Sequence, residues 1–359
     1  MTFINGSRLN EGTTYVTLFY LKTLANAGVN TKLIQLLDIN DKTKFPKADI
    51  YVKGTNLFQG SRFSGAINRL ILFPERLNFD MANTVFFSDP TLSKCIPPSK
   101  FSIMQVHDFR PFTYFNDSLS LSILFKILLK RIQNANVIIV PTKAVLKEAL
   151  ELDIPEDKLR VIPQLPFRIS PNKDHITNTL YRLQNFKTLN CTFVSSDRPY
   201  KNINLFIKIA EFFSHDKSEF NIQFHLVSHL GTKNLNLLKK LNLPNLQIHS
   251  NIEDMDAFYE KMDILIYPSM YEGFGRPTVE AMSKGMPIIY NDTPAVNEIV
   301  GNAGIKLDSN YLEDWITAIK NFTDPLYVEK IGKLSFDRFN QYFTIGKIQK
   351  LIIETFGVT

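Results

Sequence analysis

Short apolar runs alternate with helical runs along most of this chain, and that alternation limits the possible folds more than any other feature. Phe3-Ile4 leads through a loop into a helical stretch over 14–26, which Gly28 is placed to close as a C-terminal cap. Strand-like runs follow at 32–37, 49–52, 84–87, 102–106 and 137–140, the last followed by a helix over 143–150. Apolar strands separated by helices bury both faces of a parallel sheet. Residues 163–184 interrupt the pattern: they are polar, carry Pro163, Pro166 and Pro171, and read as a linker with one helix at most. The alternation then restarts, with strands expected at 191–194, 223–227, 246–249, 264–267 and 287–290 and helices between them. Two successive doubly wound α/β domains follow from this order.

Size agrees with two domains, since 359 residues exceed what one core usually covers. The expected boundaries are 1–165 for the first domain, 166–184 for the linker, 185–335 for the second domain and 336–359 for a C-terminal amphipathic helix that crosses back to the first. Cys95 and Cys191 lie far apart without metal-ligand spacing, which fits a reducing compartment or simple indifference to redox, and no signal peptide is visible. A cytoplasmic location is therefore expected. The net charge of +6 suits an anionic ligand, but the basic residues are scattered and match no nucleic-acid motif, so a nucleic-acid partner is not expected. The run over 119–131, with Lys126, Lys130 and Arg131, reads as a core helix, with peripheral membrane contact as the rival reading.

The stretch richest in chemistry runs Ile264-Leu-Ile-Tyr-Pro-Ser-Met-Tyr-Glu-Gly-Phe-Gly-Arg-Pro-Thr-Val-Glu-Ala-Met-Ser-Lys-Gly285. A buried strand ends at Pro268, Gly273 and Gly275 form a turn, Pro277 sits at the first helical position, and Gly285 ends the helix. Glycines at such a turn let backbone N–H groups approach an anion, and the helix N-terminus favours negative charge. A phosphate is thus expected at 273–278. Glu272 and Glu280 would repel it unless both face hydroxyls, as a sugar and a ribose provide.

Written EGFGRPTVE after YPSMY, with NDTPAVNEIVGNAG downstream, this segment resembles the signature of the retaining family 4 glycosyltransferases of the GT-B fold. The resemblance implies two facing Rossmann-like domains with an interdomain cleft, and transfer of a sugar from a nucleotide diphosphate sugar to a hydroxyl with retention of configuration. It implies that Glu272 contacts donor-sugar hydroxyls and that Gly273, Phe274 and Gly275 lie against sugar and diphosphate. Arg276, Pro277 and Thr278 complete the donor turn, and Glu280 would bind the ribose diol. It also implies metal independence and no cofactor, the nucleotide sugar being a substrate.

In Ser195-Ser-Asp-Arg-Pro-Tyr-Lys-Asn202, Lys201 matches the family's cation, whereas Arg198 stands closer to the Lys than in many members. Both are expected to stabilise the leaving diphosphate. In the first domain His107, with Asp108 beside it, resembles the family's His-Asp loop and implies a contact to donor sugar or phosphate. Gly12 lies where a Gly-rich turn near the diphosphate is often found. Asp254-Met-Asp256 has the form of a metal motif but its position suggests helix capping, and His225, His229 and His249 lack ligand spacing, so no metal is expected. The acceptor is a glycan, a lipid-linked or a protein hydroxyl. The rival readings are a nucleotide-sugar epimerase or hydrolase of the same fold, and a non-catalytic nucleotide-sugar-binding subunit.

Overall fold

The computed structural model describes residues 1–5, 12–38, 50–54, 83–90, 100–110, 119–165, 170–250 and 252–358. They form two compact units, Met1–Gln164 with Ile345–Thr359, and Leu165–Thr344.

The first unit is built on a seven-stranded sheet of β1 (Thr2–Asn5), β2 (Lys32–Asp38), β3 (Ile50–Gly54), β4 (Thr84–Phe87), β5 (Phe101–Gln105), β6 (Val137–Val140) and β7 (Leu159–Val161). The spatial order is β3-β2-β1-β4-β5-β6-β7, and every pairing is parallel. Helices α1 (Gly12–Asn26), α2 (Leu119–Gln133) and α3 (Lys143–Glu151) belong to this unit. Gly28, at φ +86°, ends α1 as expected, with Val29 N–H donating to Leu24 at 3.0 Å. Thr142 caps α3 through its hydroxyl, which accepts from Val145 N–H at 3.1 Å. Within α2, Leu128 and Ile132 are buried while Lys126 and Lys130 are exposed, the pattern of a helix packed on a core. No helix among the described residues is long and apolar enough to cross a membrane.

The second unit holds a six-stranded parallel sheet of β8 (Thr188–Val194), β9 (Asn221–Val227), β10 (Leu246–His249), β11 (Ile264–Tyr267), β12 (Ile288–Asn291) and β13 (Ile305–Leu307). Its order is β10-β9-β8-β11-β12-β13. Strands β11 and β12 are buried along their whole length, which explains why Ile-Leu-Ile-Tyr and Ile-Ile-Tyr-Asn read as continuous apolar runs. The helices are α4 (His175–Phe186), α5 (Ile203–Ser214), α6 (Thr232–Leu241), α7 (Met255–Tyr259), α8 (Arg276–Ser283), α9 (Pro294–Val300), α10 (Leu312–Asn321) and α11 (Pro325–Tyr342).

Two expectations on organisation change. Much of the stretch read as a linker is α4, and it belongs to the second unit. Leu183 is buried there, and Arg182 Nε donates to the buried Asp263 carboxylate at 2.9 Å. The apolar period of α4 is too short to stand out from its polar neighbours in sequence. The C-terminal run is two helices: α11 ends at Tyr342, and α12 (Ile345–Thr355) belongs to the first unit. There Phe356 meets Tyr20 of α1, ring centroids 6.1 Å apart. The break falls at Phe343, whose side chain is buried in the core of the second unit and so cannot continue a solvent-facing turn.

Close backbone contact fixes α8. Gly285, at φ +67°, terminates it, and a side chain at Gly332 of α11 would lie 2.7 Å from the Gly285 carbonyl oxygen. Only glycines let these backbones approach so closely.

Candidate active site

In each sheet the order reverses beside the first strand, and such switch points are where open α/β sheets bind ligands. In the second unit the reversal lies between β8 and β11. The loop after β8 carries Arg198 and Lys201; the loop after β11 carries Glu272 and the glycines. Met270 N–H donates to the Tyr200 carbonyl at 2.8 Å, joining the two loops.

The structure brings Lys201 and Glu272 together. Lys201 Nζ lies 2.6 Å from Glu272 Oε1, with both side chains largely buried. Tyr267, the last residue of β11, donates its phenol to the same oxygen at 2.5 Å. Burial, reinforced by the Glu272 charge, holds the Tyr267 phenol well above its usual range, so it stays a protonated donor. Lys201 also sits 5.3 Å from the ring centroid of Tyr200.

Glu280 is arranged in parallel fashion one helical turn into α8. Its Oε2 accepts from the buried Tyr259 hydroxyl at 2.9 Å, and its Oε1 lies 3.3 Å from Arg276 Nε. Burial and then Glu280 raise the Tyr259 phenol in the same sense. The repulsion expected from two carboxylates at a phosphate turn is thus offset locally, since Lys201 neutralises one and Arg276 the other.

The turn between them departs in part from the sequence expectation. Gly275 adopts φ +83°, the left-handed region that glycine occupies without strain, and a Cβ there would meet Val296 and Tyr267 within 3.5 Å. Pro277 lies at the start of α8, as its fixed φ favours. Thr278, expected to face an anion, points inward: its N–H and its hydroxyl both donate to the Gly275 carbonyl, at 2.9 and 2.7 Å. Pro277 has no N–H, so the amides available at the helix start are those before it. The Phe274 ring is buried in the core, 6.3 Å from Phe343, so only its backbone belongs to the turn.

Arg198 precedes the short helical turn Pro199–Lys201, and its carbonyl accepts from Lys201 N–H at 2.9 Å. Of the two cations of this loop, Lys201 bonds Glu272 through its Nζ. Asp197, which sequence reading passed over, ties the loop down: its carboxylate accepts from Gly231 N–H and from Asn234 Nδ2, each at 2.5 Å. Tyr259 and Tyr267 were also missed. Their signal was a tyrosine at the end of an otherwise aliphatic strand, and another at the end of a short helix, where any large apolar residue would have filled the core.

His107 and Gly12 lie in the first unit. His107 follows β5, and its Nδ1 is 2.8 Å from Gln164 Nε2. Asp108 Oδ1 accepts from Arg110 N–H at 3.2 Å, a contact within the loop. Gly12 opens α1, while the Asn10-Glu11 part of that loop lies outside the described residues.

The acidic pair discounted as a metal motif has structural work. Asp254 caps α7, accepting from Ala257 N–H at 2.9 Å, and Asp256 lies 2.7 Å from the buried Lys284, which also bonds Glu260. His225 Nδ1 and His249 Nε2 are 3.1 Å apart on neighbouring strands. Among the described residues, no group of three or more His, Cys, Asp or Glu is placed to hold a metal ion.

Residues 188–324 match the family described as glycosyl transferases group 1. The O-antigen chain mannosyltransferase RfbU of Salmonella typhimurium is 25% identical over 262 residues, which span 70% of this chain and 67% of that protein. The O-antigen chain mannosyltransferase B of Escherichia coli is 43% identical over 58 residues, 16% of this chain and 15% of that one. Among solved structures, Anabaena HepE in complex with UDP and glucose superposes with a TM-score of 0.74 at 14% identity, covering 99% of this chain and 98% of its own. WaaG, a glycosyltransferase involved in lipopolysaccharide biosynthesis, gives 0.72 at 14% identity, with 98% of each chain covered. This likeness shows the GT-B fold.

Proposed function

We propose that this nucleotide-sugar-dependent glycosyltransferase of the GT-B fold, whose residues 188–324 belong to glycosyl transferases group 1, works by a retaining, metal-independent mechanism centred on Glu272 and Lys201. The observation that carries the proposal is the meeting of Lys201, Glu272 and Tyr267 at the strand-order reversal of the second sheet.

The diphosphate of the donor rests on the amides of the 273–276 turn, at the positive end of α8. Glu272 accepts from sugar hydroxyls and Glu280 from the ribose diol. When the bond from the anomeric carbon to the diphosphate breaks, the electron pair leaves on the phosphate oxygen. Lys201, with Arg198 nearby in the same loop, stabilises that charge. The acceptor oxygen bonds to the anomeric carbon on the same face, and its proton passes to the departing phosphate oxygen. No cofactor enters, and fixed cations do the work a metal ion does in other transferases.

The names of the relatives support a surface-glycan acceptor. Two are O-antigen chain mannosyltransferases, and a third is a lipopolysaccharide core biosynthesis mannosyltransferase of Rhizobium meliloti, 31% identical over 80 residues. On this reading the acceptor hydroxyl belongs to a growing polysaccharide or its lipid-linked precursor. Incubation with UDP-glucose and with GDP-mannose, followed by NMR of the product, tests the reading: the anomeric configuration of the donor is retained, and EDTA leaves the rate unchanged. An inverted product, or loss of turnover on chelation, refutes it.

A further inference from the structure

Both carboxylates of the donor site are gripped from below by a buried phenol, and the two grips differ in geometry. Tyr267 and Lys201 converge on one oxygen of Glu272, Oε1, at 2.5 and 2.6 Å. At Glu280 the contacts are divided, Tyr259 on Oε2 and Arg276 on Oε1. Tyr267 and Tyr259 are among the most fully buried large side chains of the second unit, and Tyr259 belongs to the electrostatic surroundings of Tyr267. Neither hydroxyl is needed for packing, because a phenylalanine has the same ring. A hydroxyl in a core costs desolvation unless it finds a partner, so its presence requires an explanation in the partner it serves.

Resting on the donor-site reading above, we infer that Tyr267 and Tyr259 are positioning residues: a phenolic floor that fixes the rotamer of Glu272 toward the donor sugar and that of Glu280 toward the ribose. With Oε1 of Glu272 committed to Tyr267 and Lys201, Oε2 is the oxygen presented to a sugar hydroxyl. Glu280 must keep Oε2 on Tyr259 while Oε1 exchanges Arg276 for ribose. The first contact acts where the reaction occurs and the second where the nucleotide binds, so their loss divides between kcat and KM.

The test measures donor cleavage, as release of UDP from UDP-glucose or GDP from GDP-mannose, for Tyr267→Phe, Tyr259→Phe, Glu272→Gln and the double variant Tyr267→Phe/Glu272→Gln. Tyr267→Phe lowers kcat roughly tenfold to hundredfold with donor KM little changed, because misplacement of a reacting-site group costs on that order. Tyr259→Phe instead raises KM about tenfold. Melting temperatures of both stay near that of the unmodified protein. In the Glu272→Gln background Tyr267→Phe adds little, since the two act as a unit. If Tyr267→Phe turns over within twofold of the unmodified enzyme while Glu272→Gln loses activity, or if its effect persists undiminished in the double variant, the positioning role is refuted and the donor site stands. If Glu272→Gln itself retains normal turnover, the donor-site reading falls and the inference falls with it. Tyr259→Phe decides independently should Tyr267→Phe fold poorly.

Discussion

The two units repeat one strand order and use it differently. In the second, the strands on either side of the reversal, β8 and β11, each send a loop into the same place, and Lys201 and Glu272 meet there. In the first, the reversal lies between β1 and β4, yet His107, the residue proposed for function there, follows β5, one strand farther out. One of its partners is a neutral amide, Gln164, whereas Glu272 bonds a cation and a phenol. A doubly wound sheet thus supplies a place for a ligand, and the loop residues alone decide whether that place carries charge.

The most severe way to break this contrast is to remove either half of the ion pair. Glu272→Ala or Lys201→Ala should reduce transfer at least a hundredfold in steady-state assays, the usual scale for electrostatic groups at a reacting centre. His107→Ala is expected to cost less, about tenfold, the scale of one polar contact. An effect as large as that of Glu272→Ala would make the two units equal contributors and end the comparison.

A smaller effect concerns backbone. Gly275→Ala places a side chain at φ +83°, against about 1–2 kcal/mol of strain. Thermal unfolding should shift down by a few degrees, with donor affinity falling because the amides move. An unchanged melting temperature would mean the turn relaxes freely.

The mildest test is acidification. Burial, with Arg182 adding to it, lowers His175 to about 4, and burial with His249 beside it lowers His225 to about 4; both lie in the second unit. The unfolded chain binds these protons near 6.5, so the folded state is favoured fully above that value and loses stability as pH falls from about 6.5 toward 4. Hydrogen exchange at pH 7 and pH 4.5 should show protection falling more in the second unit than in the first. His225→Phe should flatten part of that dependence.

Much of this was legible in the sequence because it depends on local chemistry. The runs at 84–87, 137–140 and 264–267 were readable from apolar continuity, and they coincide with β4, β6 and β11; the run at 246–249, Leu-Gln-Ile-His, coincides with β10. Gly275 and Pro277 announced a turn into a helix because only certain residues tolerate those backbone angles. Short or exposed elements left weaker traces. β7 and β13 have three residues each, too few for a period of two to show, and α4 was lost among prolines and polar residues.

What the sequence determined by itself was the doubly wound architecture, the position of the glycine turn before α8 and the chemical types gathered around it, since periodicity and backbone preference act within a few residues. What only the tertiary structure decided was partnership. Lys201 and Glu272 are separated by 71 positions and Tyr259 and Glu280 by 21. Hydrogen bonds act over about 3 Å, and no spacing rule along a chain specifies which distant side chains folding will bring within that distance.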